Sequence, residues 1–332
     1  MSQLRITSLG GGHGLHQTLL AAKILAEAEE REGCSPSTCR VNAVVTVADD
    51  GGSSGRLRRE LGVVPPGDLR MALAALTPNN EDGHALRDAL QHRFGGNGAM
   101  AGHAVGNLVI AGLTEMTGEI QAALDTVGHW ASSTGRVLPV ALEPLDIEAE
   151  VAGLDDDPRV LRTVRGQVAV ATTPGSVRRV RLHPGEPSAN PAAVEAIKNA
   201  DVVTIGPGSW FSSVIPHLLV PEIVEALNET SAPVVVILNL SPEAGETPGF
   251  TTERHIHVFN QHAPGLKVDK FLVDDATDFT EGERTYLTRT AEQAGAEMVF
   301  ADLREVDASG ALTNRHDPRK LAAAITSVLG GN

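Results

Sequence analysis

Four stretches of the chain place glycine and short polar residues directly after an apolar, β-prone run. They begin at Gly10, Asp49, Gly206 and Asn239. Glycine lets a backbone approach a phosphate closely, and amide hydrogens at a helix start carry partial positive charge. One such loop is weak evidence. Four at successive strand ends point to one anion-binding rim, because open α/β sheets bind ligands beyond the carboxyl ends of their strands.

The stretch Gly51, Gly52, Ser53, Ser54, Gly55 reads as the strongest phosphate cradle, with hydroxyl donors on both serines and a charged donor in Arg56. A structural role is also open: Ser53 or Ser54 can cap the following helix. Asp49 and Asp50 precede it and point to opposite sides of an extended chain, so one faces the site. A carboxylate there can take sugar hydroxyls or hold Mg²⁺, the one cofactor the sequence suggests. The first loop contributes Gly11, Gly12, His13 and Gly14, but a G-x-G-x-x-G fingerprint would need glycine where Leu15, His16 and Gln17 stand. That counts against a nicotinamide cofactor. Gly206, Gly208 and Ser209 form the third loop, and Asn239 opens the fourth, with Gly245, Glu246 and Thr247. Two further clusters join the candidates: Gly67, Asp68 and Arg70, where Asp68 is also a plausible helix cap, and Gly102, His103, Gly106 and Asn107. No nucleophile, base and acid are readable together, so binding is far more legible than catalysis.

The elements that position these loops alternate. Leu4–Leu9 reads as a buried strand, Leu15–Arg31 as a helix and Val41–Ala48 as a second strand, with a helix opening at Arg56. Helices are expected over Leu69–Leu76, Ala85–Phe94 and Ala104–Ser132, the last broken by Gly112 and Gly118. Residues 137–182 change texture and read as a β-rich insertion, with Val-rich runs at Val137–Leu142 and Gln167–Ala171. Alternation resumes with a helix over Asn190–Ala200, capped by Asn190 with Pro191 at its first position, and a strand over Asp201–Ile205. A helix over Ser213–Asn228 must kink or split at Pro216 and Pro221. Strands at Pro233–Leu240, Lys270–Val273 and Met298–Ala301 and a helix over Asp317–Leu329 complete the pattern. The expected fold is a single α/β domain over residues 1–332, Rossmann-like, three-layered, with a mostly parallel sheet and one small β-rich insertion.

Composition agrees. Aromatic residues are 3% of the 332, so the core must rest on Val, Leu, Ile and Ala, as buried parallel strands require. The net charge of −15, without a basic run, argues against nucleic acid as partner. No window suits membrane insertion. Cys34 and Cys39 read as free thiols in a reducing cytoplasm, and the chain enters its first strand with no leader. A homodimer is compatible with the sequence but not dictated by it.

Together, Thr46-Val-Ala-Asp-Asp-Gly-Gly-Ser-Ser-Gly-Arg56, Pro65-Pro-Gly-Asp68, Gly102-His103 with Gly106-Asn-Leu108, Ile205-Gly-Pro-Gly-Ser209, Asn239-Leu240 with Gly245-Glu-Thr247, and Arg315-His-Asp317 resemble one family. It is the bacterial gluconeogenesis-factor family (YvcK-like), related to 2-phospho-L-lactate transferase (CofD-like). The resemblance runs in order along nearly the whole chain. It implies a cytoplasmic Rossmann-like protein that binds a UDP-sugar such as UDP-N-acetylglucosamine, with no established reaction. It further implies roles in growth on gluconeogenic carbon, cell shape and cell-wall synthesis. Gly12, His13 and Gly14 would lie on the ligand, Arg315 near the nucleotide, and the loop from Gly206 to Ser209 under the phosphates. Three departures from the family pattern are His13 for the usual Thr, His217 for a common Asn, and Trp210-Phe211 for a Tyr. A histidine is larger and titratable, so hydrogen bonds to the sugar or diphosphate would be rearranged. The alternative implied by the relatives is a Mg²⁺-dependent phosphoryl-group transferase with the ion on Asp49 or Asp50.

Overall fold

The computed structural model describes residues 4–31, 41–157, 159–243, 246–277 and 279–330. Cys34, Cys39 and Gly245 lie outside the described residues. The chain opens with β1 (Ile6–Gly10), α1 (Gly12–Arg31) and β2 (Val41–Val45), followed by five helices: α2 (Gly52–Leu61), α3 (Gly67–Ala75), α4 (Glu81–Gln91), α5 (Val105–Thr117) and α6 (Ile120–Trp130). Next come β3 (Gly135–Pro139), β4 (Asp146–Ala152), β5 (Leu161–Arg165), α7 (Gln167–Ala171) and β6 (Ser176–His183). The second half runs α8 (Pro191–Lys198), β7 (Val202–Ile205), a π-helical turn (Trp210–Val214), α9 (Ile215–Leu218), α10 (Pro221–Glu229) and β8 (Val234–Ile237). It finishes with α11 (Thr252–His262), β9 (Lys270–Asp274), α12 (Glu281–Gln293), β10 (Glu297–Ala301), the hairpin β11 (Arg304–Val306) and β12 (Leu312–His316), and α13 (Pro318–Gly330).

Seven strands form the central sheet in the order β10-β9-β8-β7-β1-β2-β3, and every pairing is parallel. All their carboxyl ends therefore share one edge. The chain builds outward from β1 to β3, then returns to the other side of β1 with β7. The β1/β7 boundary is thus the switch point where a crevice opens. β1, β7 and β8 are buried at every position, which is why they read as continuous apolar runs rather than alternating ones. The α/β fold expected from the sequence is the one found.

Several local expectations are corrected. The first two glycine loops are the opening turns of helices: α1 starts at Gly12 and α2 at Gly52, not at Leu15 and Arg56. Gly12 (φ +56°) and Gly52 (φ +47°) take a left-handed backbone, which lets the strand turn sharply into the helix. The segment 104–132 breaks only at Gly118, the left-handed C-cap of α5; Gly112 stays inside the helix. Val137–Leu142 does not belong to the insertion, since Val137 pairs with Ala43 as part of edge strand β3. The antiparallel sheet β5-β4-β6 begins at Asp146. Gln167–Ala171 is helix α7 rather than strand, its apolar residues packing on β4. The apolar segment after β7 divides into the π-helical turn, α9 and α10, and Pro221 takes the first position of α10. Asn190 caps α8 as expected, its side chain accepting from the Ala192 amide. Among the described residues no single helix is long and apolar enough to cross a membrane.

Candidate functional site

A cleft of about 780 Å³ lies at the carboxyl edge of the sheet. Its walls come from the first turn of α1 (His13, Gly14, His16, Gln17), from α3 (Arg70, Met71), and from Gln91 and Arg93 at the end of α4. The loops after β7 (Pro207, Gly208) and β8 (Asn239, Leu240, Ser241, Glu243) and strand β12 (Asn314, Arg315, His316) complete them.

Two close approaches bring these walls together. A Cβ on Gly14 would stand 2.0 Å from the Pro207 carbonyl oxygen, so α1 and the β7 loop meet backbone to backbone. A Cβ on Gly11 would stand 2.5 Å from Asp68 Oδ2, which seats α3 beneath the start of α1. Asn239 pins the β7 loop with two bonds: its Oδ1 accepts from the Gly208 amide at 3.0 Å and its Nδ2 donates to the Gly208 carbonyl at 2.9 Å. Glu246 holds the next turn, accepting from the Phe211 amide (2.9 Å) and the Ser212 hydroxyl (2.5 Å). Burial raises its pKa above the usual carboxylate range.

Arg70 is the central cation. It is 3% exposed, and its Nε donates to Asn107 Oδ1 at 2.9 Å. Asn107 Nδ2 donates to Ser53 Oγ at 2.9 Å, and Ser53 Oγ lies 3.0 Å from His103 Nδ1. This chain holds Arg70 from behind, yet its Nη1 has no hydrogen-bond partner. Burial, with repulsion from Arg93, lowers the guanidinium to about 10, and Asp68 only partly offsets this. Asp68 keeps part of its surface open, but its carboxyl is hemmed in by protein. That crowding, with the Asp49 charge, pushes it up to about 7 against the Gly12 amide that favours the ion. His16 is lowered by burial and then by its cationic neighbours His13, Arg315 and Arg87. The cleft thus carries three arginines, Arg70, Arg93 and Arg315, and one carboxyl, Glu243.

Of the residues singled out in the sequence, His13, Gly14, Arg70, Gly208, Asn239 and Arg315 line the cleft. Arg315 is solvent-exposed and pairs with Glu305 at 3.4 Å. Gly11, Gly12, Gly206 and Ser209 support the walls, and Asp68, Asn107, Ser53 and His103 stand behind Arg70. Asp68 is not the helix cap, since Pro66 takes that position in α3. Neither Ser53 nor Ser54 caps α2, because its N-cap is Gly51 without a side-chain bond. The run Gly51, Gly52, Ser53, Ser54, Gly55 and Arg56, expected to be the main cradle, is outside the cleft wall. Arg56 is turned to the carbonyls of Ala99 (3.4 Å) and Ala101 (2.7 Å), and α7 packs over Gly51 through Val168. His217 is also misplaced by the sequence reading. It is fully buried, donates from Nε2 to the Val44 carbonyl at 3.1 Å, and falls to about 4 through burial, so it is a core residue under β2.

Asp49 and Asp50 do diverge as expected. Asp49 accepts from the Gly51 amide (2.9 Å), whereas Asp50 accepts from the Val168 amide (2.9 Å) and so ties the insertion down. Asp50 therefore does not fit a shared ion with Asp49. Among the described residues no three His, Cys, Asp or Glu gather as a metal-ligand group.

Sequence reading missed His16, Gln17, Met71, Gln91, Arg93, Ser241, Glu243, Asn314 and His316. His16 and Gln17 were within reach, since they follow His13 by three and four residues and share its helix face. The others come from α3, the end of α4, the β8 loop and β12, where no glycine stands directly beside them.

The family profile for 2-phospho-L-lactate transferase CofD matches residues 6–317. A Mycobacterium tuberculosis protein is 54% identical over 97% of this chain and 90% of its own length. The Bacillus subtilis gluconeogenesis factor is 34% identical over 98% of both chains, and the M. tuberculosis protein bears the same name in provisional form. A crystal structure of a UPF0052-family protein from Bacillus halodurans superposes with a TM-score of 0.81 at 31% identity, covering 97% of this chain and 99% of that one. With the parallel sheet, the glycine rim and this similarity along almost its full length, the chain belongs to the CofD-like family that includes the bacterial gluconeogenesis factors.

Proposed function

We propose that the cleft binds a nucleoside diphosphate sugar of the UDP-N-acetylglucosamine type, and that the loaded protein regulates growth on gluconeogenic carbon, cell shape and cell-wall synthesis. The gluconeogenic role follows the names of its relatives. The uridine sugar and the wall role follow the family resemblance of its motifs. The single observation that carries the ligand class is Arg70, a buried guanidinium in the cleft wall with one donor nitrogen unused. A diphosphate supplies the missing acceptor, and Arg93 adds a second charge. The amides of α1's opening turn lie beside the same space and favour an anion.

Isothermal calorimetry tests this with UDP-N-acetylglucosamine, UDP, GDP and NAD⁺, with and without Mg²⁺. Low-micromolar binding of the uridine compounds is expected, about −8 kcal/mol. No heat from any uridine diphosphate would refute the ligand.

The second reading is a phosphoryl-group transferase. Its one support is the pair Asp49 and Asp68, two carboxyls raised by burial, Asp68 also by the charge of Asp49. A divalent cation relieves such a pair, so Asp49 with Asp68, rather than Asp50, would hold Mg²⁺, which would supply charge neutralisation at the phosphates. Phosphorus NMR of protein, nucleotide sugar and Mg²⁺ separates the readings: conversion of the diphosphate signals favours transfer, and an unchanged spectrum favours regulation by binding.

A further inference from the structure

The cleft walls are not chemically alike. On the α3 and α4 side stand Arg70 and Arg93. On the β8 and β12 side stand Glu243, Arg315 and His316, and there Glu243 and His316 carry buried polar atoms without a partner. Glu243 accepts a long bond from Ser209 Oγ through Oε1 (3.5 Å), while its Oε2 has no partner. Burial and the neighbouring Glu246 raise its carboxyl to about 7, against Ser209 and the Trp210 backbone, so it is an acceptor on both oxygens only above that value. His316 is 6% exposed, and its Nε2 also lacks a partner. Burial lowers the ring to about 4 and keeps it neutral, while Asp274 and the Leu238 backbone favour its charged form. In the tautomer protonated on Nδ1, Nε2 is an acceptor.

Buried polar atoms without partners are uncommon and costly. Four such atoms belong to residues that line this cleft: Glu243 Oε2, His316 Nε2, His16 Nδ1 and Arg70 Nη1. All four are closed to bulk water, so a guest engages them through small rotations of the side chains that line the cleft. Resting on the ligand class proposed above, we infer that Glu243 and His316 are the specificity-determining pair. They read hydrogen-bond-donating hydroxyls of the guest, while Arg70 and Arg93 take its phosphates. The hydroxyls come from the hexose or from the ribose, which present the same chemistry.

The test combines variants and probes. Glu243→Leu, His316→Leu and His316→Gln are titrated at pH 8 with UDP-N-acetylglucosamine, UDP, 2′-deoxy-UDP and pyrophosphate, each variant first checked for a native thermal transition. Glu243→Leu and His316→Leu should each weaken UDP-N-acetylglucosamine about tenfold and leave pyrophosphate unchanged. His316→Gln, which keeps an acceptor near Nε2, should recover most of the loss. A loss seen with the sugar nucleotide but not with UDP assigns the hexose. A loss seen with both, and absent from 2′-deoxy-UDP, assigns the ribose. If the wild type binds pyrophosphate but no nucleotide sugar or UDP, the ligand class fails rather than the pair. If the wild type binds and the folded Glu243→Leu and His316→Leu variants match it for every probe, the inference is overturned. Whichever of the two folds decides it should the other not.

Discussion

Arg70→Met separates a binding arginine from a structural one, because the two roles give different balances. Methionine keeps much of the apolar stem that Arg70 packs against its neighbours and removes the charge. In the wild type the guanidinium sits at about 10 instead of 12.5, which corresponds to about 3 kcal/mol against the charged form in the fold. The group's pKa is lowered on folding, so this penalty is present in full at neutral pH and fades only as pH rises through 10. Against it stands the bond from Nε to Asn107, about 1.5–3 kcal/mol for a charged donor. The two nearly cancel, and Arg70→Met should change the stability of the ligand-free protein by less than about 1.5 kcal/mol. Losing the diphosphate's principal partner should weaken UDP or UDP-N-acetylglucosamine by about 1.5–3 kcal/mol, roughly 10- to 150-fold. Urea denaturation measures the first and calorimetry the second. A structural buried ion pair would instead cost about 3–5 kcal/mol on losing one partner. A loss of that size with affinity intact in the folded fraction would refute the reasoning.

Three further perturbations follow from the same geometry. Gly14→Ala drives a methyl into the Pro207 carbonyl, where neither backbone can yield cheaply; it should cost about 1–3 kcal/mol in urea denaturation and weaken binding, because both segments line the cleft. Asp68 is raised to about 7, so the native state binds more protons than the unfolded chain between its ordinary value of 3.8 and 7, and stability falls as pH rises through that window. Asp68→Asn should thus stabilise by about 1–3 kcal/mol at pH 8 and by nearly nothing at pH 3, the upper limit reduced for the exposed part of the residue; equal effects at both values would contradict the burial argument. His217→Ala removes a fully buried ring and the donor to the Val44 carbonyl, so about 2–4 kcal/mol of stability should vanish while the folded fraction binds as before. A selective loss of affinity there would return His217 to the site.

The order of elements was legible because burial on both faces writes β1, β7 and β8 as unbroken apolar runs, and Asn190-Pro191 writes a helix start. Four glycine rims at one sheet edge were legible for the same reason, since a parallel sheet puts every strand end on that edge. The hairpin β11–β12 and helices α11 and α12 were not anticipated. β12 is mostly exposed, and α12 is polar along most of its length with only Leu287 and Ala291 buried. Neither carries the periodicity that betrays a half-buried element.

The sequence by itself determined that this chain is a parallel α/β protein of a recognisable family with glycine-rich loops along one rim of the sheet, because local backbone demands and burial are written residue by residue. Only the tertiary structure decided which rim residues meet. It set Asp50 and Arg56 to holding loops, sent His217 into the core, and brought Arg70, Glu243 and His316 to one cleft from three distant segments. A side chain's charge and reach are local properties. Whether its partner is a carbonyl behind it or a ligand in front depends on what the rest of the chain packs against it.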